Sequence, residues 1–324
     1  MKIAMVGLPL SHPYTFASIL KERDIEISHV WDYEHPKADE FARKYGVTQV
    51  TDDIETIADA GIDGAMVCAR NNEHAKYALP FISAGVPVYI NKPMVTNRDD
   101  LDRLLEYIDE HRTPVMSCSS IRYAPPMVKA REHVASGGVG VVLGAHAVAM
   151  HGIELYMKSP HKWQDNIETG GGSIINMGVH AVEPLVAALG AGIESVFCTA
   201  SKRFYAKSQS EDTAVITLRY ADGRVCTVDV ICGTTAHGYE LTVFGSERSL
   251  TASLPAADVR EFAGGGIGEA DGRVSNGYIG LIDDFLRMCD TGETPIPLSE
   301  TREIMLTLLA ARESAASGAP ARLG

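Results

Sequence analysis

The chain has 324 residues, enough for two ordinary domains, and its 45% hydrophobic and 22% charged residues are the composition of a globular protein. A formal net charge of −13 disfavours a nucleic-acid or anionic-membrane partner, because no basic field exists to displace counterions. No run approaches a membrane span, and Met1-Lys2-Ile3-Ala4-Met5-Val6-Gly7 is too short an apolar run for a signal peptide. The six cysteines form no CxxC pair and no zinc spacing, so the expectation is no metal, buried free thiols and a cytoplasmic setting.

The first third alternates strand-like and helix-like segments. Ile3 to Val6 is an apolar run ending at Gly7, and Tyr14 to Arg23 is helix-compatible. Ile25 to Trp31 reads as a strand that delivers Asp32 to its end. Pro36 to Tyr45, Asp52 to Ala60 and Glu73 to Ala84 read as helices closed by Gly46, Gly61 and Gly85, where glycine C-caps belong. Ala65 to Cys68 and Val86 to Ile90 are short buried strands; the second ends in Asn91-Lys92-Pro93. Asp99 to Glu110 is a helix and Val115 to Cys118 a further strand. This alternation predicts parallel pairing with right-handed crossovers, an α/β Rossmann-type doubly wound sheet over residues 1–120.

After Arg122-Tyr123-Ala124-Pro125-Pro126 the pattern changes. Met127 to Ala135 is helical and Val141 to Met150 a long strand. Gly170-Gly171-Gly172 opens a helix expected to run from Ser173 to Leu189. Strand-like runs follow at Ile193 to Phe204, Thr213 to Tyr220, Arg224 to Ile231 and Tyr239 to Phe244, with a hairpin signal at Asp222-Gly223. The low-complexity stretch Ala263 to Gly268 reads as a loop, and helices at Tyr278 to Cys289 and Ser299 to Ser317 close the chain. Residues 121–324 therefore read as an α+β domain on an open, largely antiparallel sheet.

Gly7 sits where a dinucleotide-binding turn belongs, in Gly7-Leu8-Pro9-Leu10-Ser11-His12. The G-x-G-x-x-G pattern asks for glycine at 7, 9 and 12, and only Gly7 is present. Pro9 has no N–H for a phosphate, and His12 is too large for a close helix–strand approach; Ser11 offers a hydroxyl and the helix its dipole. Asp32 is the stronger signal: a carboxylate at the end of the second strand takes the ribose hydroxyls of NAD and repels the extra phosphate of NADP. The competing reading is a solvated strand-end Asp. Arg70-Asn71-Asn72-Glu73-His74 follows the next strand, either as ligand contacts at the sheet edge or as a helix cap with a packed histidine. Lys92 is either a solvated strand-end charge or a group aimed into a cleft; burial would favour its neutral form and let it trade protons near neutrality. Asn176 and His180, four apart, would share one face of the expected helix, with a core histidine as the plainer reading.

These pieces, in this order, resemble the glucose–fructose oxidoreductase/inositol dehydrogenase (Gfo/Idh/MocA) family across nearly the whole chain. The resemblance lies in Asp32, Asp52-Asp53-Ile54-Glu55, Ile62-Asp63-Gly64-Ala65, Asn72-Glu73-His74, Ala84-Gly85-Val86-Pro87-Val88, Arg122-Tyr123-Ala124-Pro125 and the Gly170-to-His180 segment. Asn91-Lys92-Pro93 is similar to the family's Glu-Lys-Pro motif with the acid replaced, and Asn176 stands where the family has an aspartate.

The resemblance implies an NAD-dependent dehydrogenase of a sugar, polyol or related hydroxy compound. Lys92 would sit beside the nicotinamide and the reacting hydroxyl, His180 would be the acid/base, and Asn176 would orient the hydroxyl without moving a proton. Cofactor contacts would come from Gly7, Leu8, Pro9, Ser11, His12, Asp32, Arg70, Asn71, Asn72, His74, Asn91 and Lys92. Substrate contacts would come from Lys92, Arg122, Tyr123, His151, Trp163, Asn176 and His180, within or near a polar and aromatic segment from His151 to Trp163 that suits a hydroxyl-rich ligand. The resemblance also implies a homodimer or homotetramer formed through the open face of the second sheet. Two alternatives stay open. One is a redox-neutral lyase, epimerase or glycoside-cleaving enzyme with tightly held NAD. The other is a non-catalytic sugar-binding subunit on the same fold.

Overall fold

The computed structural model describes residues 1–254, 258–261, 265–269 and 277–323. The chain forms two compact units: Met1–Cys118 with Tyr278–Thr301, and Ser119–Gly277 with Arg302–Gly324.

The first unit is built on six parallel strands: β1 (Lys2–Val6), β2 (Glu26–Trp31), β3 (Gln49–Val50), β4 (Gly64–Val67), β5 (Val88–Ile90) and β6 (Val115–Ser117). Their order is β3-β2-β1-β4-β5-β6, so the winding reverses between β1 and β4. Ligands of such sheets bind outside the carboxyl ends of the strands at that reversal. Ile3 to Val6 and Ala65 to Val67 are fully buried, because helices cover both faces; this is why these strands read as continuous apolar runs. The helix His35–Tyr45 ends on Gly46 at φ 77°, a left-handed cap that glycine adopts without a Cβ penalty.

One element departs from the expected partition. The helix Tyr278–Thr291 belongs to the first unit and buries Leu281, Ile282, Phe285 and Met288 there. Its Asp283 meets Arg23 at 2.6 Å, and Phe285 and Cys289 fill the space in front of Gly64, where a Cβ would lie 2.5 Å from the Cys289 sulfur. The apolar stripe of this helix is plain in the sequence, but periodicity does not say which sheet a helix packs on.

The second unit is a nine-stranded sheet of β7 (Val142–Met150), β8 (Ile193–Ser201), β9 (Thr213–Tyr220), β10 (Val225–Ile231), β11 (Gly238–Gly245), β12 (Ser249–Leu254), β13 (Asp258–Glu261), β14 (Gly265–Glu269) and β15 (Ala321–Arg322). The order is β14-β13-β12-β11-β7-β10-β9-β8-β15, antiparallel at every pairing except β7 with β10. Strands β12 to β15 extend the five strands, β7 to β11, that the sequence pattern shows. Of the expected loop, Ala263 and Gly264 lie outside the described residues, and Gly265 to Gly268 form part of β14. The inner face, with Ala145, Ala147, Ile216, Val228 and Leu241, is buried on the side that carries the helix Val179–Leu189. Register places Phe197, Val215, Val225 and Phe244 together on the opposite face, all exposed.

The helix expected from Ser173 to Leu189 is broken. Helical segments at Gly172–Asn176 and Val179–Leu189 are separated by Met177-Gly178, and the chain bends there by 49°. Gly178 has no room for a side chain, since a Cβ would lie 2.1 Å from the Ile174 carbonyl oxygen. Asn176 and His180 therefore stand on different helices, and the shared-face argument for the pair does not hold.

Candidate active site

In the first unit, β1 ends at Gly7, whose φ is +87°. A Cβ there would lie 2.7 Å from the backbone N and Cα of Ala69, so the turn accepts glycine alone. The N–H of Leu8 donates to Asp32 Oδ2 at 2.5 Å, and the N–H of Glu34 donates to Oδ1 at 3.0 Å. Asp32 is 4% exposed. The carboxylate at the end of β2 thus ties the turn after β1 to its own loop and keeps further lone pairs on each oxygen. Ser11, the N-cap of the helix His12–Glu22, makes no side-chain capping bond.

Beside Asp32 lies a cluster of aromatic side chains with no motif in the sequence. Trp31, Tyr33 and Tyr77 pack with ring centroids 4.5 to 5.9 Å apart. The Arg70 guanidinium sits 5.1 Å from the Tyr33 ring centre, and the Arg70 N–H donates to Tyr33 Oη. Burial pushes the Tyr33 phenol well above its ordinary range, and it donates to Glu73 at 2.9 Å.

At the end of β5, Asn91 and Lys92 are 1% and 6% exposed. A buried lysine is uncommon. Asn91 Nδ2 lies 3.1 Å from His12 Nδ1, and Tyr89 Oη lies 3.3 Å from Asn91 Oδ1. His74 is fully buried, its ring nitrogens 2.8 Å from the Pro93 carbonyl oxygen and 3.1 Å from that of Ala69. It braces the Lys92-Pro93 segment against the loop after β4. Both ring nitrogens of His74 face backbone carbonyls, as those of a packed histidine do. Burial lowers its pKa to about 4, aided by the charge of Lys92 and opposed by the two carbonyls.

In the second unit, His180 lies in the first turn of Val179–Leu189 and is 8% exposed. Its Nδ1 is 2.6 Å from Ser119 Oγ, and its ring centre is 5.3 Å from that of Tyr239 on β11. Ser119 Oγ also caps the short 3-10 turn that follows, accepting from the Ile121 N–H at 3.1 Å. Glu183, one turn after His180 and 1% exposed, accepts the Ser119 N–H at 2.5 Å, with Arg122 Nη1 3.9 Å from its other oxygen. Arg122, expected among substrate contacts, is 7% exposed and faces this carboxylate; Tyr123 beside it is partly buried. Asn176 is 3% exposed at the end of its own short helix.

His151 stacks on Tyr156 and packs edge-on against His237, with ring centres 6.0 and 4.6 Å away. Trp163 is half-buried, and its carbonyl accepts from Thr169 Oγ1 at 2.6 Å. The neighbouring Asp165 is buried and accepts from Ser208 Oγ and from the N–H groups of Gln209 and Ser210. That carboxylate fastens the His151–Trp163 segment to the loop before β9.

Residues 1–118 match the family described as "Oxidoreductase family, NAD-binding Rossmann fold", and residues 127–251 match the "GFO/IDH/MocA C-terminal domain". The chain belongs to the Gfo/Idh/MocA oxidoreductases. Myo-inositol 2-dehydrogenase of Thermotoga maritima is 24% identical over 95% of this chain and 94% of its own. Levoglucosan dehydrogenase in complex with NADH superposes with a TM-score of 0.88 at 16% identity, covering 100% of this chain and 99% of its own. GenD2 from gentamicin A biosynthesis, in complex with NAD, gives 0.84 at 22% identity over 100% and 96%. At these identities the structural likeness is one of fold.

As a Gfo/Idh/MocA oxidoreductase the chain takes NAD on its Rossmann unit, and the residues present fit that group. Gly7 makes the tight turn, Asp32 is a buried carboxylate at the end of β2, and Ser11 has a hydroxyl unused by its own helix. Asn72 Oδ1, just beyond the carboxyl end of β4, is buried without a hydrogen-bond partner among the described residues, an acceptor that a ligand donor would satisfy. What the family pattern in the sequence misses is Tyr33, Ser119, Glu183 and Tyr239. Only Glu183 carried a signal: it is the one carboxylate in the otherwise apolar run Val179-His180-Ala181-Val182-Glu183-Pro184-Leu185-Val186.

Proposed function

We propose that this chain oxidises a secondary hydroxyl of a sugar or polyol, with Lys92 and His180 as its proton carriers. The observation that carries the reading is the burial of Lys92, 6% exposed, at the carboxyl end of β5 in a sheet that takes a dinucleotide. The names of the relatives, a myo-inositol 2-dehydrogenase and a levoglucosan dehydrogenase, support a hydroxyl-rich carbon skeleton as the substrate class. The paired rings of His151, Tyr156 and His237, with Trp163 in the same segment, offer flat faces for sugar C–H surfaces.

NAD⁺, when bound, supplies the hydride acceptor. Asp32 receives the ribose hydroxyls, while Ser11 and the first turn of the helix His12–Glu22 meet the pyrophosphate. Lys92 binds the reacting hydroxyl and polarises it. His180, with Nδ1 held by Ser119, exchanges the hydroxyl proton at Nε2. Asn176 donates or accepts a hydrogen bond that fixes the hydroxyl's orientation but carries no proton at neutral pH. The exposed row Phe197, Val215, Val225 and Phe244 is the face through which two copies would pair.

The test is turnover with NAD⁺ and a panel of polyols and anhydrosugars. NADH accumulating in step with an oxidised sugar is the expected result. Product without NADH would move the reaction to the redox-neutral class.

A further inference from the structure

Resting on the reading of Asn176 as the residue that orients the substrate hydroxyl, we propose that Glu211 is the positioning residue for Asn176, acting as a helix cap supplied from another element. The break at Met177-Gly178 takes Asn176 off the helix Val179–Leu189 and leaves it as the last residue of Gly172–Asn176. A helix of five residues is too short to be stable by its own hydrogen bonds. Its first N–H groups have no partner within the helix, and the residue before a helix commonly meets one of them with a side-chain oxygen. That residue is Gly171, at φ +91°, which has no side chain to give. The preceding turn, Ile167–Gly170, is capped in the common way, with Asn166 Oδ1 accepting the N–H groups of Glu168 and Thr169.

Glu211 takes the missing role from 37 residues away. Its Oε1 accepts the Ile174 N–H at 2.5 Å. Ile174 is the third residue of the helix, one of the two positions whose N–H a cap takes. The glycine run makes room for this carboxylate. A Cβ on Gly172 would stand 3.1 Å from both Glu211 oxygens, at a φ of +69° that already disfavours a side chain. Glu211 is held in its turn by its neighbours. Asp212, fully buried, accepts the N–H groups of Arg203, Phe204 and Tyr205. Ser210 donates its N–H to the Asp165 carboxylate at 3.2 Å and its hydroxyl to the Asp165 carbonyl at 2.6 Å. The cap therefore stands on a fixed stretch of backbone, and it fixes the single turn from which Asn176 projects two residues later.

The test is a double-mutant cycle of Glu211 and Asn176 in the full chain, read as kcat/KM for whichever polyol or anhydrosugar of the panel above turns over fastest, with NAD⁺ affinity measured alongside. Glu211→Ala should lower kcat/KM by at least about 10-fold, the scale of a misplaced orienting group, and leave the NAD⁺ dissociation constant within about 2-fold. Asn176→Ala should cost a similar factor, and adding Glu211→Ala to it should cost less than about 3-fold more, because Glu211 acts through Asn176. Glu211→Gln, which keeps an acceptor oxygen, should stay within about 3-fold of wild type. Should Glu211→Ala fail to fold, Glu211→Asp withdraws the carboxylate by one methylene, and the same cycle applies. A wild-type kcat/KM in the Glu211 variant overturns the proposal. So do losses that multiply in the double variant, the result expected of a merely structural residue. An Asn176→Ala variant with wild-type kcat/KM removes the reading of Asn176 itself, and the proposal with it.

Discussion

The Asn91 side-chain amide meets His12 Nδ1 at 3.1 Å. These are two of the positions at which the chain departs from its family's pattern, the acid before Lys92 and the last glycine of the dinucleotide turn, and they are partners in the structure. A glycine at 12 would leave Asn91 without this contact. In this turn Pro9 and Pro13 lack N–H groups, so fewer backbone donors can meet a phosphate. His12→Ala and Asn91→Ala should each weaken NAD⁺ binding by about 5–10-fold, and their double variant by less than the product, with a coupling on the order of 1 kcal/mol. Calorimetric titration of the four proteins checks this; strict additivity would contradict the pairing.

Gly7→Ala should be severe. A residue other than glycine at φ +87° is strained, and its Cβ would overlap Ala69 backbone at 2.7 Å, where nothing flexible can yield. The expected loss is about 2–4 kcal/mol of stability, read from denaturant midpoints. NAD⁺ binding should fall with it.

On the proposed reading, Asp32 sets the choice between NAD and NADP. Asp32→Ser removes the charge that opposes a ribose phosphate, with the Arg70 cation near Tyr33 to receive one. The ratio of NADP to NAD dissociation constants should fall by at least about 10-fold. An unchanged ratio would separate Asp32 from cofactor choice.

His74 links stability to acidity. Its pKa is 6.5 when unperturbed and about 4 in the fold, chiefly through burial. Between those values the unfolded chain binds the proton and the folded chain does not. Its contribution is therefore fully present above about 6.5 and is lost as pH falls toward 4, on the order of 3 kcal/mol in total. His74→Gln should flatten the fall in stability on acidification from pH of about 7 to about 5. Equal slopes in the two proteins would contradict it.

The sequence carries the first unit well because its signals are local. Buried parallel strands are continuous apolar runs, and helices there stop on glycines such as Gly46, whose left-handed φ a side chain would penalise. Asp32 and Lys92 stand out because each is a charge at the end of such a run. The misses are non-local. At the break, Gly178 packs where a Cβ would crowd Leu308, 130 residues later, which a local window cannot see. The helix Tyr278–Thr291 shows its apolar stripe but not its destination. Ser119 looks like an ordinary turn serine until the fold brings His180, 61 residues later, to its hydroxyl.

The central claim is that Lys92 and His180 carry the proton of an NAD-linked sugar or polyol oxidation. Single-turnover NADH formation, followed in wild type, Lys92→Ala and His180→Ala at saturating NAD⁺, tests it most directly. The account predicts NADH in the wild type and a loss of at least about 10²-fold in each variant, with NAD⁺ binding by His180→Ala intact. Near-normal NADH formation in both variants, or no NAD⁺ binding by the wild type, would contradict it.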